Sequence, residues 1–160
     1  QYDYATSLHS SQVYTPQLIV NGKHVVSAGS PETLLKVRSD ASAAPALPVA
    51  VDAALVGGRL VVNTGGGSGE ANLILAIFDE SETVKVERGE NGGKQLTYHN
   101  AVTGLRTIGM WKGKALEVEL PRKEYLTEKG QGCAVLLQRI TQQGTPGEII
   151  GAAVVSGTGS

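Results

Sequence analysis

Catalysis and metal binding need nucleophiles, acids, bases or ligands in groups, and this chain offers few such groups. Cys133 is the only cysteine, which excludes an internal disulfide, a dithiol pair and a Cys-rich zinc module. It opens the apolar run Cys133-Ala134-Val135-Leu136-Leu137, where a thiol behaves as a small hydrophobe. Reactivity requires an exposed thiolate stabilised by its surroundings, so the inert reading is preferred. His9, His24 and His99 lie far apart, none with a histidine two to four residues away. A metal site assembled from distant strands stays open, but packing and surface roles fit better, and no metal ligand is assigned. The glycine-rich stretch Asn63-Thr64-Gly65-Gly66-Gly67-Ser68-Gly69-Glu70 lacks the Lys-Ser/Thr of a phosphate loop. It also misses Gly-x-Gly-x-x-Gly and the nucleophile elbow at Glu70. Plain turns explain it, and no motif implies a cofactor.

Two stretches remain. Glu87 to Lys94 with Leu96 to Asn100 is the densest polar segment. As a binding edge it would present Arg88, Glu90, Tyr98 and Asn100 as donors and acceptors; as a solvated hairpin it needs no ligand, and that reading is favoured. The second stretch is Tyr14-Thr15-Pro16-Gln17-Leu18-Ile19-Val20-Asn21-Gly22-Lys23. Proline cannot donate to a strand ladder, so a Pro heading an apolar strand occupies a special position.

The elements that would position these residues change character near residue 45. Only 2 of the 21 glycines lie in residues 1–56. Tyr2 to Leu8 reads as the tail of a helix. Gln17–Val20 and Lys23–Val26 read as strands joined by an Asn21-Gly22 turn, since both residues tolerate positive φ. Ser30-Pro31-Glu32 is a helix start, with a capping hydroxyl, Pro at the first helical position and an acid in the first turn. Leu34, Leu35 and Val37 give that helix an apolar side, and it is expected to end near Asp40. Residues 41–48, small and carrying two prolines, read as a linker. Beyond it the pattern predicts eight strands: 49–56, 59–64, 71–79, 83–88, 95–103, 115–120, 133–141 and 148–155. Eight short strands between turn clusters argue for a sandwich or barrel. The continuous apolar run Leu73–Phe78 belongs at its centre. One helical turn is expected within 122–129, and 157–160 is a tail.

Net charge is −1, from 14 basic and 15 acidic residues. A nucleic-acid binder would carry a basic excess or stripe, so none is expected as a partner. No apolar run reaches the length of a transmembrane helix.

Thr15-Pro16-Gln17 before an apolar strand and an Asn-Gly turn resembles the stretch of thioredoxins and glutaredoxins in which a cis-proline sits beside the redox dithiol. More broadly, Val13 to Gln17, Asn21-Gly22, Gly89-Glu90-Asn91, Leu96 to Asn100 and Ala134 to Gln138 make the chain similar to a bacterial secreted family. That family is a domain of unknown function, number twelve-twenty-three, with a thioredoxin-like domain followed by an all-β domain. The resemblance implies the C-terminal half of a thioredoxin-like domain over 1–40 and a β-sandwich, jelly-roll-like, over 49–156. It also implies an N-terminally truncated member, because the Cys-x-x-Cys half and the signal peptide of the family are missing from this sequence. The parent would be secreted or periplasmic, with thiol–disulfide exchange as its activity, while this chain would be inert alone. Thr15, Pro16 and the neighbouring Tyr14 would contact an extended peptide or protein substrate. The rival reading is a non-catalytic exported binding module that uses the β domain.

Overall fold

The computed structural model describes residues 2–8, 16–27, 29–89, 91–125 and 130–156. The N-terminal part holds helix α1 (Tyr2–Ser7), strands β1 (Gln17–Val20) and β2 (His24–Ser27), and helix α2 (Pro31–Ala43). Strands β1 and β2 form a two-stranded antiparallel hairpin, with Asn21 (φ 50°) and Gly22 (φ 70°) in its turn. Ser30 caps α2 through its Oγ, which accepts from the Thr33 amide at 3.2 Å. The helix continues three residues past Asp40, because Ala41, Ser42 and Ala43 extend it at little cost. It stops at Ala44, whose extended backbone (φ −68°, ψ 153°) is what a following proline imposes. The linker therefore starts at Ala44, later than the sequence suggests.

Seven strands follow: β3 (Val51–Val56), β4 (Arg59–Thr64), β5 (Ala71–Lys85), β6 (Gln95–Trp111), β7 (Leu116–Pro121), β8 (Gln131–Ile140) and β9 (Pro146–Val155). They build a three-stranded sheet β3-β4-β7 and a four-stranded sheet β6-β5-β8-β9, each antiparallel throughout. One expectation is corrected here. The strands expected at 71–79 and 83–88 are one, since Glu80-Ser81-Glu82 carries β5 straight through. Its partner β6 likewise runs past Thr103 to Trp111. Among the described residues this region has seven strands in a three-plus-four arrangement, one fewer than the eight expected. Arg122–Glu124 form a 3₁₀ turn; the rest of the expected helical turn lies outside the described residues, as does the tail 157–160.

The two sheets share one core. Leu60 and Val62 of β4 meet Leu73, Leu75 and Ile77 of β5 and Val135 and Leu137 of β8. β5 lies between β6 and β8, as its continuous apolar run demands. Trp111 closes one end, its Nε1–H donating to the Gly65 carbonyl at 3.0 Å. Arg106 stacks its guanidinium over the Tyr125 ring, 5.6 Å from the centroid. The pairing of β5 with β8 ends at Asp79↔Gln131, while its pairing with β6 continues to Lys85↔Gln95. Residues beyond Asp79 thus project as a two-stranded arm. No helix among the described residues is long and apolar enough to cross a membrane.

Candidate functional site

The N-terminal part meets the sandwich along β8 and β9. Tyr4 Oη accepts from Gln138 Nε2 at 2.7 Å, and the same amide nitrogen donates to the Gly147 carbonyl at 2.9 Å. The Ile149 amide donates to the Asn21 carbonyl at 2.9 Å, and Lys23 Nζ pairs with Glu148 at 2.5 Å. At Gly22 the backbones come so close that a β-carbon would overlap the Gly147 carbonyl oxygen. Together with its positive φ, that contact leaves room for glycine alone.

Above this contact lies a cleft of about 580 Å³ between the β1–β2 hairpin, the last turns of α2, the linker 44–48 and Glu148. Val20, Val26, Val37, Leu47, Pro45 and Pro48 supply apolar wall, and Lys23, His24, Asp40 and Glu148 bring polar groups to it. The charges are largely satisfied internally. Lys23 is held by Glu148, and Asp40 by Lys36 Nζ at 2.9 Å, a pairing that raises the Lys36 pKa. An apolar cleft of this size with a few polar groups has the make-up of a ligand site. Pro16, exposed, stands immediately before β1. Neither strand of the hairpin has a second ladder partner among the described residues, so backbone donors and acceptors remain along both outer edges. A smaller hollow of about 360 Å³ lies beside Glu70, Met110, Trp111 and Ile140, but the Trp111 N–H there is already committed to Gly65.

The residues singled out from sequence fall in separate places. Pro16 is at the foot of β1, while Tyr14 and Thr15 lie outside the described residues, and with Thr15 the configuration of the Thr15–Pro16 bond. Tyr98 faces Glu82 across the arm, and Asn100 takes a left-handed φ of 53° at its base. Arg88 is in the turn beyond Lys85↔Gln95, where the ladder ends, while Tyr98 lies three pairs back opposite Glu82; Glu90 lies outside the described residues. Arg88 is not brought together with Tyr98 and Asn100. Cys133 is fully buried in the core, and burial pushes its thiol pKa up. His24 borders the cleft, His99 sits on the arm opposite Ser81, and His9 lies outside the described residues. Among the described residues no three His, Cys, Asp or Glu side chains converge on a metal-sized site. Sequence reasoning missed Lys23, Val37, Asp40 and Glu148 as cleft residues. Only Lys23, next to the Asn-Gly turn, carried any local signal; Glu148 joins it through tertiary contact alone.

A family model described as protein of unknown function, DUF1223, matches residues 1–138. A crystal structure of an Agrobacterium tumefaciens protein, solved as a structural-genomics target, is 31% identical and superposes with a TM-score of 0.82. The match covers 100% of this chain and 69% of that one. No curated protein matches the chain. Both the family match and the similarity to the Agrobacterium protein extend over the N-terminal part and most of the sandwich, and the chain belongs to the DUF1223 family of proteins of unknown function.

Proposed function

We propose that this chain is a non-catalytic binding module for extended polypeptide, with its site at the Pro16-led hairpin and the adjoining cleft. The observation that carries the reading is the juxtaposition of an apolar cleft with a strand pair whose outer edges have no ladder among the described residues. A peptide in extended form could add its backbone to such an edge and place alternate side chains in the cleft, the usual division of labour in β-strand addition. Balanced charges around the cleft favour segments that are apolar rather than strongly charged. The test is an array of short peptides tiling several unfolded proteins, probed with the chain and with Val37→Asp and Leu47→Asp. Apolar segments should bind, and each variant should weaken binding at least tenfold while melting cooperatively. Equal binding by wild type and both variants would sink the reading.

A second reading concerns a longer protein that contains this chain. The resemblance of Thr15-Pro16-Gln17 to thioredoxins supports an exported, secreted or periplasmic, parent that handles thiols, with Tyr14, Thr15 and Pro16 touching its substrate. The Agrobacterium protein has room for such a segment in the 31% of its length that the match leaves uncovered (100% − 69%). Thiol exchange requires a thiolate and a resolving thiol, and the one cysteine here is buried in the sandwich. Insulin reduction is therefore expected only from a polypeptide that joins this chain to a Cys-x-x-Cys segment. Activity in the chain alone that disappears in Cys133→Ser would overturn the assignment.

A further inference from the structure

An asparagine followed by glycine can react with its own backbone. No side chain shields the next amide nitrogen, and glycine lets the main chain turn that nitrogen toward the asparagine side chain. Two of the five asparagines have this neighbour, Asn21 and Asn91, and the fold treats them differently. Asn21 is clamped, its carbonyl accepting from the Ile149 amide at 2.9 Å. The close approach of Gly22 to the Gly147 carbonyl leaves the main chain there no room to swing. Asn91 and Gly92 are exposed at the end of the arm, past the last ladder pair Lys85↔Gln95. Among the described residues, 91–94 form hydrogen bonds only within 86–94; the Gly92 amide donates to the Gly89 carbonyl at 2.9 Å and the Lys94 amide to the Asn91 carbonyl at 3.1 Å. Opening this turn uncovers no core, so it is a low-cost local event. A further contact favours the reaction itself. Lys94 Nζ donates to Asn91 Oδ1 at 3.1 Å, which draws electrons from Cγ and puts a cation where negative charge would develop.

We propose that Asn91 is a site of spontaneous covalent modification, assisted by Lys94. Hydroxide removes the Gly92 amide proton, and the nitrogen bonds to Asn91 Cγ. The side-chain nitrogen leaves as ammonia, taking its extra proton from water, and a five-membered succinimide remains. Water then opens one of the two ring carbonyls, giving aspartate or isoaspartate, so that one ammonia is lost and one water gained. The end of the arm acquires a carboxylate, and in the isoaspartate the main chain is longer by one carbon. The turn between Gly89 and Lys94 is thereby rebuilt, while the ladder from Lys85↔Gln95 inward keeps its register.

Peptide mapping of the whole chain after incubation in mildly alkaline buffer tests this. The tryptic peptide Gly89–Lys94 holds one asparagine and no glutamine, so a gain of one mass unit there reports Asn91 alone. Methylation by a protein isoaspartyl methyltransferase identifies the isoaspartate. In the folded chain Asn91 is expected to react at least tenfold faster than Asn21. In guanidinium the two rates should converge to within a few-fold, because only the fold separates two identical dipeptides. Gly92→Ala should slow Asn91 at least tenfold. Lys94→Met should slow it severalfold, and Lys94→Arg should restore most of the rate. Asn21 reacting as fast as Asn91 in the folded chain would refute the proposal. So would an Asn91 that stays intact in the folded chain yet reacts in guanidinium. Equal rates in wild type and Lys94→Met would overturn the part given to Lys94.

Discussion

Cys133 and Gly151 show how far a single side chain, or its absence, is fixed by the packing of two sheets. The Cys133 thiol has no access to solvent, and burial raises its pKa because the thiolate would lose its hydration. Native protein should resist iodoacetamide at pH 8 and label quickly once unfolded, with mass spectrometry as the readout. The same shift has a consequence for stability. The folded chain holds this proton more tightly than the unfolded one, so the contribution is complete below the ordinary thiol pKa. It is lost as pH rises through the raised value. Gly151 lies where β9 crosses β3, and a β-carbon there would sit 2.6 Å from both the Val49 carbonyl oxygen and Val51 Cγ2. Gly151→Ala must push backbone aside and is expected to cost about 1–3 kcal/mol, measurable by urea denaturation. Nothing in the sequence marks this glycine apart from those that serve turns; its requirement comes from a strand in the other sheet.

At the level of elements, the turn signals were legible wherever a backbone conformation demanded a particular residue. Asn21-Gly22, Gly57-Gly58 and Gly144 all take positive φ, and the helix start at Ser30-Pro31 is where capping chemistry puts it. What local pattern missed was continuation. Glu80-Ser81-Glu82 looks like a break because its polarity suits a turn, yet a strand leaving the sandwich needs polar side chains on both faces. Ala41-Ser42-Ala43 looks like a linker, yet alanine favours helix until proline stops it. Helix α2 also has no buried residue, despite the apolar side expected of Leu34, Leu35 and Val37, so capping and charge weigh heavily in it. The backbone amide of Glu32, and after it the Ser30 hydroxyl, hold the Glu32 carboxyl below its ordinary pKa. Its support for the helix is therefore present above the ordinary carboxylate range and lost as pH falls through the lowered value. Circular dichroism at 222 nm should show helix signal declining on acidification before the β signal changes, and Glu32→Gln should flatten that early decline.

For the molecule as a whole, the β region was legible as an all-β unit because its strands repeat between turns. The candidate cleft was not legible, because it forms only where the hairpin, the end of α2 and β9 meet. The core cluster of the described residues lies wholly in the sandwich, whereas the N-terminal part, among the described residues, holds on through Tyr4–Gln138, Asn21–Ile149 and Lys23–Glu148. Residues 44–160 are therefore expected to fold without it, giving dispersed amide resonances and a cooperative melt. Residues 1–43 should not fold alone, since an isolated two-stranded hairpin is marginal in water. An unfolded 44–160 would show that those few contacts are part of the core's cooperativity.

Strand β5 spans two very different environments without a break in its backbone. From Leu73 to Ile77 it is hydrogen-bonded on both sides and buried except at the half-buried Ile74; from Ser81 to Lys85 its side chains are exposed and its ladder is with β6 alone. Opening the first part requires parting the sheets, but opening the second exposes almost nothing apolar. Local unfolding should follow that gradient. Among amides bonded in the ladder, hydrogen exchange should be slow through Leu75 and faster by orders of magnitude past Ser81. A protease should find its first cut in the arm and leave the sandwich nicked but folded.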